Sequence, residues 1–386
     1  MKSNYNQLGQ YIEMVSRTNS DLKYGIEDVR GCSNTKQMMQ TRANLIGRTY
    51  EKFIVLRPQE FVFNRRTTRN GEKIGMAYNN TDREYIFTND YVAFRVKQEY
   101  LDKLLPDYLY LFFCRDEFDR YARYKSTGSA TEFFNWEDMC AVPFEIPPMD
   151  FQQLVVNAYK VLNKRIETKQ KINDNLATQA LTLFSDFVSH LSKKLEQRKL
   201  GDVIASANTG GDAIQKVPIV DYDTGIKCAR VGDITNAREY ASWAFCNASK
   251  SVYDNYKLQA GDILVTRTAT LGITQYIAKD ISAVYNNGLI RLKVNDTNAL
   301  PLYIYWAMKT SDFLNYINQM NSATSVRPNM KIDYLLNYQL SISSIEEQTQ
   351  FTNAVEPLMK AISLNNDEIL KLSEFQAIIL TTLSSR

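Results

Sequence analysis

The chain has 386 residues, a formal net charge of +3 at pH 7 and a single histidine, His190. That length accommodates two or three domains with ample core. The lone histidine excludes His-based triads and multi-histidine metal sites, and so small a net charge is weak for a protein that would hold DNA unaided. Cys32, Cys114, Cys140, Cys228 and Cys246 share no close spacing, so they read as reduced thiols of a cytoplasmic protein. No apolar run is long enough to span a bilayer, and the first 20 residues lack a signal-peptide core.

Residues 1–149 read as one α/β unit. Leu8 to Ile12 (LGQYI) opens it, and Tyr50 to Phe63 has strand-like runs around a turn at Pro58. Asn64 to Tyr78 follows as a basic loop with a tight turn at Asn70-Gly71. A strand is expected at Tyr91–Val96, a helix over Pro106–Tyr124 and a loop over Ser126–Trp136.

From Asp150 to Asp186 apolar residues recur at three-and-four spacing: Phe151, Leu154, Val155, Ala158, Val161, Leu162, Ile166, Ile172, Leu176, Ala180 and Leu183. No Gly or Pro interrupts them, Pro147 and Pro148 precede them, and Asp150 can cap the first turn. At 1.5 Å per residue this helix is about 55 Å long, the length of a spacer or coiled-coil arm. A charged connector, 187–199, contains His190.

The first half is then replayed. LGDVI (Leu200 to Ile204) repeats LGQYI at a separation of 192. Further on, Glu60 falls on Asp262, Arg65 on Arg267, TNDYVAFRV on YNNGLIRLKV, PDYLYLFF on PLYIYWAM, and Ser129-Ala130-Thr131 on Ser322-Ala323-Thr324. A second striped helix runs from Glu346, with Gln152 falling on Gln348 and Pro357 predicting a kink. Blocks in one order at nearly constant offset indicate internal duplication. The expected fold class is α/β: two duplicated α/β domains (1–149 and, with the connector, 187–345) joined by two long antiparallel coiled-coil helices (150–186 and 346–386), with pseudo-twofold symmetry.

Catalytic signatures are missing. There is no Walker P-loop, no GxGxxG after a strand and no HExxH. IPPM (Ile146 to Met149) lacks the preceding Asn or Asp and the following aromatic of amino-methyltransferase motifs. Glu346-Glu347 suits a helix start, and Asp221 and Asp223 suit a polar surface loop.

Binding is the better prospect. Asn64, Arg65, Arg66, Thr67, Thr68, Arg69 and Lys73 place four cations, hydroxyls and an amide within ten residues. Arg can read guanine with two prongs, Asn can read adenine, and hydroxyls can hold phosphate. The replayed position offers Thr266, Arg267, Thr268 and Thr270. A second pair of loops adds Lys125, Ser126 and Ser129 in the first half, Ser325 and Arg327 in the second, and Arg230 joins the candidates. A solvated basic turn stays open as the plainer reading of each loop, and a coiled-coil scaffold with two peptide-binding lobes stays open for the whole.

LGDVI, AGDILVTRTATLG, NNGLIRL, SATSVRPNM and the helix-opening EEQ resemble the specificity subunits of type I restriction–modification enzymes. The resemblance covers both lobes and both helices. It implies two target-recognition domains, each reading one part of a split double-stranded DNA target, with the helices setting the unread gap. It implies no catalysis and no cofactor in this chain. Its partners would be two modification subunits, which methylate adenine with S-adenosylmethionine, and motor-nuclease subunits using ATP and Mg. An orphan two-domain DNA-binding protein that captures a methyltransferase encoded elsewhere is the alternative. The chain departs from the family pattern in the longer first-lobe loop, at Ser343-Ser344 where the family has Pro-Pro, and at Pro357.

Overall fold

A computed structural model describes residues 6–41, 45, 47–67, 73–128, 132–191, 194–211, 217–323 and 329–383. The chain divides into two compact units, Met1–Arg165 with Leu372–Arg386, and Ile166–Lys371. Each unit contains one lobe together with part of each long helix.

The replayed blocks build the same sheet twice. In the first unit the antiparallel order is Ile12–Val15, Tyr91–Val96, Phe61–Asn64, Met76–Tyr78. In the second it is Ile204–Thr209, Leu289–Val294, Ile263–Thr266, Thr274–Tyr276. The central strands are buried on both faces and read as continuous apolar runs, FVF and ILV. Packed against the first sheet are Phe113, Phe118 and Phe134; against the second, Tyr303, Trp306 and Phe313.

Small polar devices recur at matching places. Glu60 accepts the Arg57 N–H at 2.8 Å, and Asp262 accepts the Gln259 N–H at 2.9 Å. The residue before each acid has positive φ: Gln59 at 64°, Gly261 at 86°. One difference is instructive. Arg17 clasps both oxygens of Glu60 at 3.1 Å, whereas Asp262 Oδ1 has no partner among the described residues, and burial pushes its carboxyl above the usual range. The glycines of LGQ and LGD also match. A Cβ on Gly9 would meet Cys140 Cβ at 2.7 Å, and one on Gly201 would meet Leu336 Cβ at 3.3 Å.

Shorter strands accompany each main sheet, and of these the sequence pattern indicated only Ile54–Leu56, within the strand-like runs of Tyr50 to Phe63. In the second unit their order is Ile219–Val220, Phe245–Cys246, Lys227–Ala229, Ala283–Tyr285, the last pair parallel. In the first unit the pairs are Arg30–Cys32 with Met38–Gln40 and Ile54–Leu56 with Tyr85–Phe87.

The expected helix over Pro106–Tyr124 is two helices, Pro106–Phe113 and Asp116–Lys125. Arg115 breaks it with an extended ψ of 145°. Its side chain turns back, donating from Nε to the Phe112 carbonyl at 3.0 Å and from Nη1 to the Leu383 carbonyl at 2.9 Å, which caps the end of the second long helix. Asp116, Glu117 and Asp119 then favour a new N-terminus.

The first long helix, Met149–His190, outruns its expected end. His190 therefore sits on the last turn, Nδ1 at 2.7 Å from the Asp186 carbonyl, and the connector also holds the strand Glu196–Lys199, paired with Gln339–Ile342. The second long helix, Ile345–Thr382, continues across Pro357. Within the second unit the two helices are antiparallel: Phe184 meets Phe351 with ring centroids 5.2 Å apart, and further along Asn173 meets Asn365 and Asn366 at 2.8 and 2.6 Å. Lys169 joins this polar layer through Asn365 and Glu368, each at 2.8 Å. A buried polar layer in a coiled coil fixes register at some expense of stability. Not all of the expected stripe is buried. Leu154 is 67% exposed, Val161 66% and Phe375 56%, because the apolar surface is wider than one partner helix covers.

At the head of each long helix sits a buried glutamine. Gln152 accepts the Leu105 N–H at 2.9 Å and donates to the carbonyls of Lys103 and Pro147 at 2.7 and 2.8 Å. Gln348 accepts the Leu300 N–H and donates to the Ser343 carbonyl, both at 2.8 Å.

Candidate nucleic-acid interface

In the first unit the strand Phe61–Asn64 delivers the basic loop to the edge of the core. Asn64 Oδ1 accepts the Arg66 N–H at 3.0 Å, a local turn that commits this amide to the backbone. Arg65 and Arg66 are exposed. The Arg65 guanidinium lies 5.9 Å from the centre of the Phe133 ring, and Arg66 lies 3.6 Å from Asp90 in a solvent-exposed pair. Lys73 is exposed and lies 3.5 Å from Asp116. Such exposed pairs are weak and exchange readily for a phosphate.

The second loop of this lobe lies beside the first. Phe134 donates its N–H to the Arg65 carbonyl at 2.9 Å, and Thr67 donates its N–H to the Glu132 carbonyl at 3.0 Å. Lys125 and Ser126 end the helix Asp116–Lys125, and the Ser126 hydroxyl donates to the Ala122 carbonyl at 2.7 Å. Lys125 Nζ lies 5.9 Å from the rings of Tyr121 and Tyr124. The structure thus brings Arg65, Arg66, Lys125 and Ser126 onto adjoining segments.

The second unit repeats the stitching. Met330 donates its N–H to the Arg267 carbonyl at 2.8 Å, the same bond that joins Phe134 to Arg65. Arg267, however, is half-buried. Its Nε donates to the Met330 carbonyl at 3.1 Å and its Nη1 lies 3.2 Å from the carbonyl and 3.3 Å from the side-chain oxygen of Asn287. Arg230 is similarly engaged, its Nε at 3.1 Å from the buried Asp233. Thr268 bridges to Asn329, and Gly288 lets these segments meet: a Cβ there would lie 2.4 Å from Val231 and 2.9 Å from Thr268 Oγ1. Thr270 is exposed, beside Ala269, whose φ is 63°.

Four of the candidates have partners within the chain. Thr67 is buried with its hydroxyl on the Glu132 carbonyl at 3.2 Å. Thr266 is buried with its hydroxyl accepting the Ile273 N–H at 3.0 Å. Arg267 ties its loop to Met330 and Asn287, and Arg230 pairs with Asp233 three residues on. In this geometry these side chains bond to the chain itself and shape the tips. Thr68, Arg69, Ser129, Ser325 and Arg327 lie outside the described residues. Sequence reasoning missed Asp90, Glu132 and Asn287, the groups that engage the loop cations and amides. Only Asn287 left a signal, the turn-forming string Asn286-Asn287-Gly288.

The family model for the type I restriction modification DNA specificity domain matches residues 33–178 and again 192–374. The chain belongs to this family. One match falls mainly on each of the two copies of the fold. The type I restriction–modification S subunit from M. genitalium is similar in structure, with a TM-score of 0.50 at 14% identity over 98% of this chain and 96% of that one. The HsdS subunit from Thermoanaerobacter tengcongensis matches at a TM-score of 0.35 and 15% identity over 98% and 95%. No curated protein matches by sequence. No described helix is long and apolar enough to cross a membrane.

The geometry separates two kinds of arginine, and substitution should too. Arg65→Ala or Arg66→Ala is expected to weaken DNA binding and, where the arginine holds a phosphate, to lower the salt slope by about one unit. Arg267→Ala is expected instead to destabilise the second unit by about 1–2 kcal/mol, since it removes the donor to the part-buried carbonyls of Met330 and Asn287. Salt-dependent binding and urea unfolding of the same three variants check both statements.

Proposed function

We propose that this chain is the DNA sequence-recognition subunit of a type I restriction–modification system. Each lobe reads one half of a split target, and the chain recruits two modification subunits and the motor-nuclease subunits. The observation that carries the reading is a scaffold built twice with the same hydrogen bonds and finished with different polar tips: exposed Arg65 and Arg66 in one copy, an internally engaged Arg267 in the other. One framework with two unlike tips suits two unlike short sequences. The reading assigns methyl transfer, with S-adenosylmethionine, and ATP- and Mg-dependent translocation to the partners. It gives this chain no catalytic step and no cofactor, and places it in the cytoplasm.

The net charge of +3 and the exposed apolar residues of the long helices support dependence on partners. Sedimentation of the chain with modification subunits should give a complex holding two of them per chain, and gel shifts should show tighter DNA binding by that complex than by the free chain. Tight, specific binding by the free chain, or no association, would overturn the proposal.

A further inference from the structure

We propose that Lys36 and Asp119 are positioning residues that set target choice in the first lobe alone, a claim that rests on the DNA-recognition reading above. Both are almost wholly buried, at 3% and 5% exposure, and form an ion pair. Neither belongs to the basic tips. Between them they grip one residue. Lys36 Nζ donates to the Ile74 carbonyl at 3.0 Å, and Asp119 Oδ1 accepts the Ile74 N–H at 3.0 Å. Ile74 directly follows Lys73, and Asp119 lies on the helix Asp116–Lys125 that ends in Lys125 and Ser126. The pair therefore fixes where Lys73 stands relative to Lys125.

The cost of this arrangement points the same way. Lys36 has a φ of 63°, an uncommon conformation for a residue with a Cβ, and its carbonyl accepts the Tyr110 hydroxyl at 3.3 Å. Burial pulls its ammonium below the usual lysine range, against the opposing pull of Asp119. A buried ion pair is rarely better for stability than an apolar pair of equal volume, but it admits few alternative geometries. A strained, desolvated clasp on the chain leaving a basic loop is suited to holding that loop in one place.

The second lobe closes its loop without an ion pair: Lys309 donates to the Thr274 carbonyl at 2.8 Å, where the chain leaves the loop, and no carboxylate is shown beside that lysine among the described residues. Thr266 accepts the Ile273 N–H on its hydroxyl at 3.0 Å and the Gly272 N–H on its carbonyl at 2.9 Å, so the turn is tied to itself. Loosening the clasp should leave that lobe untouched.

The test is the methylated motif produced by the full complex with modification subunits, using Asp119→Asn and the double variant Lys36→Met/Asp119→Asn. The asparagine keeps an acceptor for the Ile74 N–H, and the methionine removes the unpaired ammonium, so the double variant should fold. Expected is a loss of about tenfold in base preference at one half of the motif, the half also altered by Arg65→Ala or Arg66→Ala, with the other half unchanged. An unchanged motif, or an equal decline at both halves with a lowered unfolding midpoint, would overturn the proposal. A wild-type complex that yields no split motif would instead overturn the DNA-recognition reading itself.

Discussion

Gln152→Leu is expected to destabilise the first unit by about 3–6 kcal/mol, and Gln348→Leu the second by about 2–4 kcal/mol. Neither side chain is exposed, and leucine is close in volume, so the loss is not one of packing. What is lost is pairing. Leucine at 152 strands the Leu105 N–H and removes the donor to the Lys103 and Pro147 carbonyls. Leucine at 348 strands the Leu300 N–H and removes the donor to Ser343. Each main-chain group left without a partner costs about 1–2 kcal/mol, the lower part of the range for a buried group, because most of these bonds are only part-buried. Leu105 and Leu300 are the N-cap residues of the helices at Pro106 and Pro301, so each glutamine ties a lobe helix to the head of a long helix. Urea unfolding, with hydrogen exchange at the Leu105 and Leu300 amides, measures the effect. Two variants within about 0.5 kcal/mol of the parent would show that the bonds are dispensable.

Four residues inserted after Ala177 together with four after Lys360 are expected to lengthen the unread gap of the target by one or two base pairs, with both half-sites unchanged. Both insertions are needed because the helices are antiparallel here, and lengthening one alone would throw the Asn173–Asn365 layer out of step with the Phe184–Phe351 layer. Four residues add about 6 Å and nearly restore the angle of the apolar stripe. A base pair advances about 3.4 Å along the DNA, so the added length corresponds to at most two. Two residues in each helix would rotate the stripe by about 200° and should destabilise the chain instead. The methylated motif of each variant decides it: altered bases with a fixed gap would show that the helices do not set the spacing.

The duplication was legible because its signals are local and repeated. Gln152 and Gln348, Glu60 and Asp262, Arg65 and Arg267 align in the sequence, and each of these pairs makes corresponding bonds in the structure. Long helices were legible from periodicity, but their exposed faces were not, because Leu154 and Val161 carry the same apolar signal as Val155. Most of the short strands escaped because two or three residues show no alternation. The helix break at Arg115 escaped because the pattern of aromatic and apolar residues runs on through it, and the Leu383 carbonyl that its side chain meets lies far away in the chain. The tips were the least legible part. Arg65 and Arg267 are the same residue at the same place in the fold, and only the tertiary neighbours Met330 and Asn287 make one of them a strut.

The most direct measurement is the adenine methylation pattern of a host's DNA, with modification subunits present, compared with and without this chain. Methylation is expected within a split motif: two short specified sequences separated by a gap of fixed length, present only with the chain. Methylation that is unchanged by the chain, or confined to a single uninterrupted sequence, would contradict it.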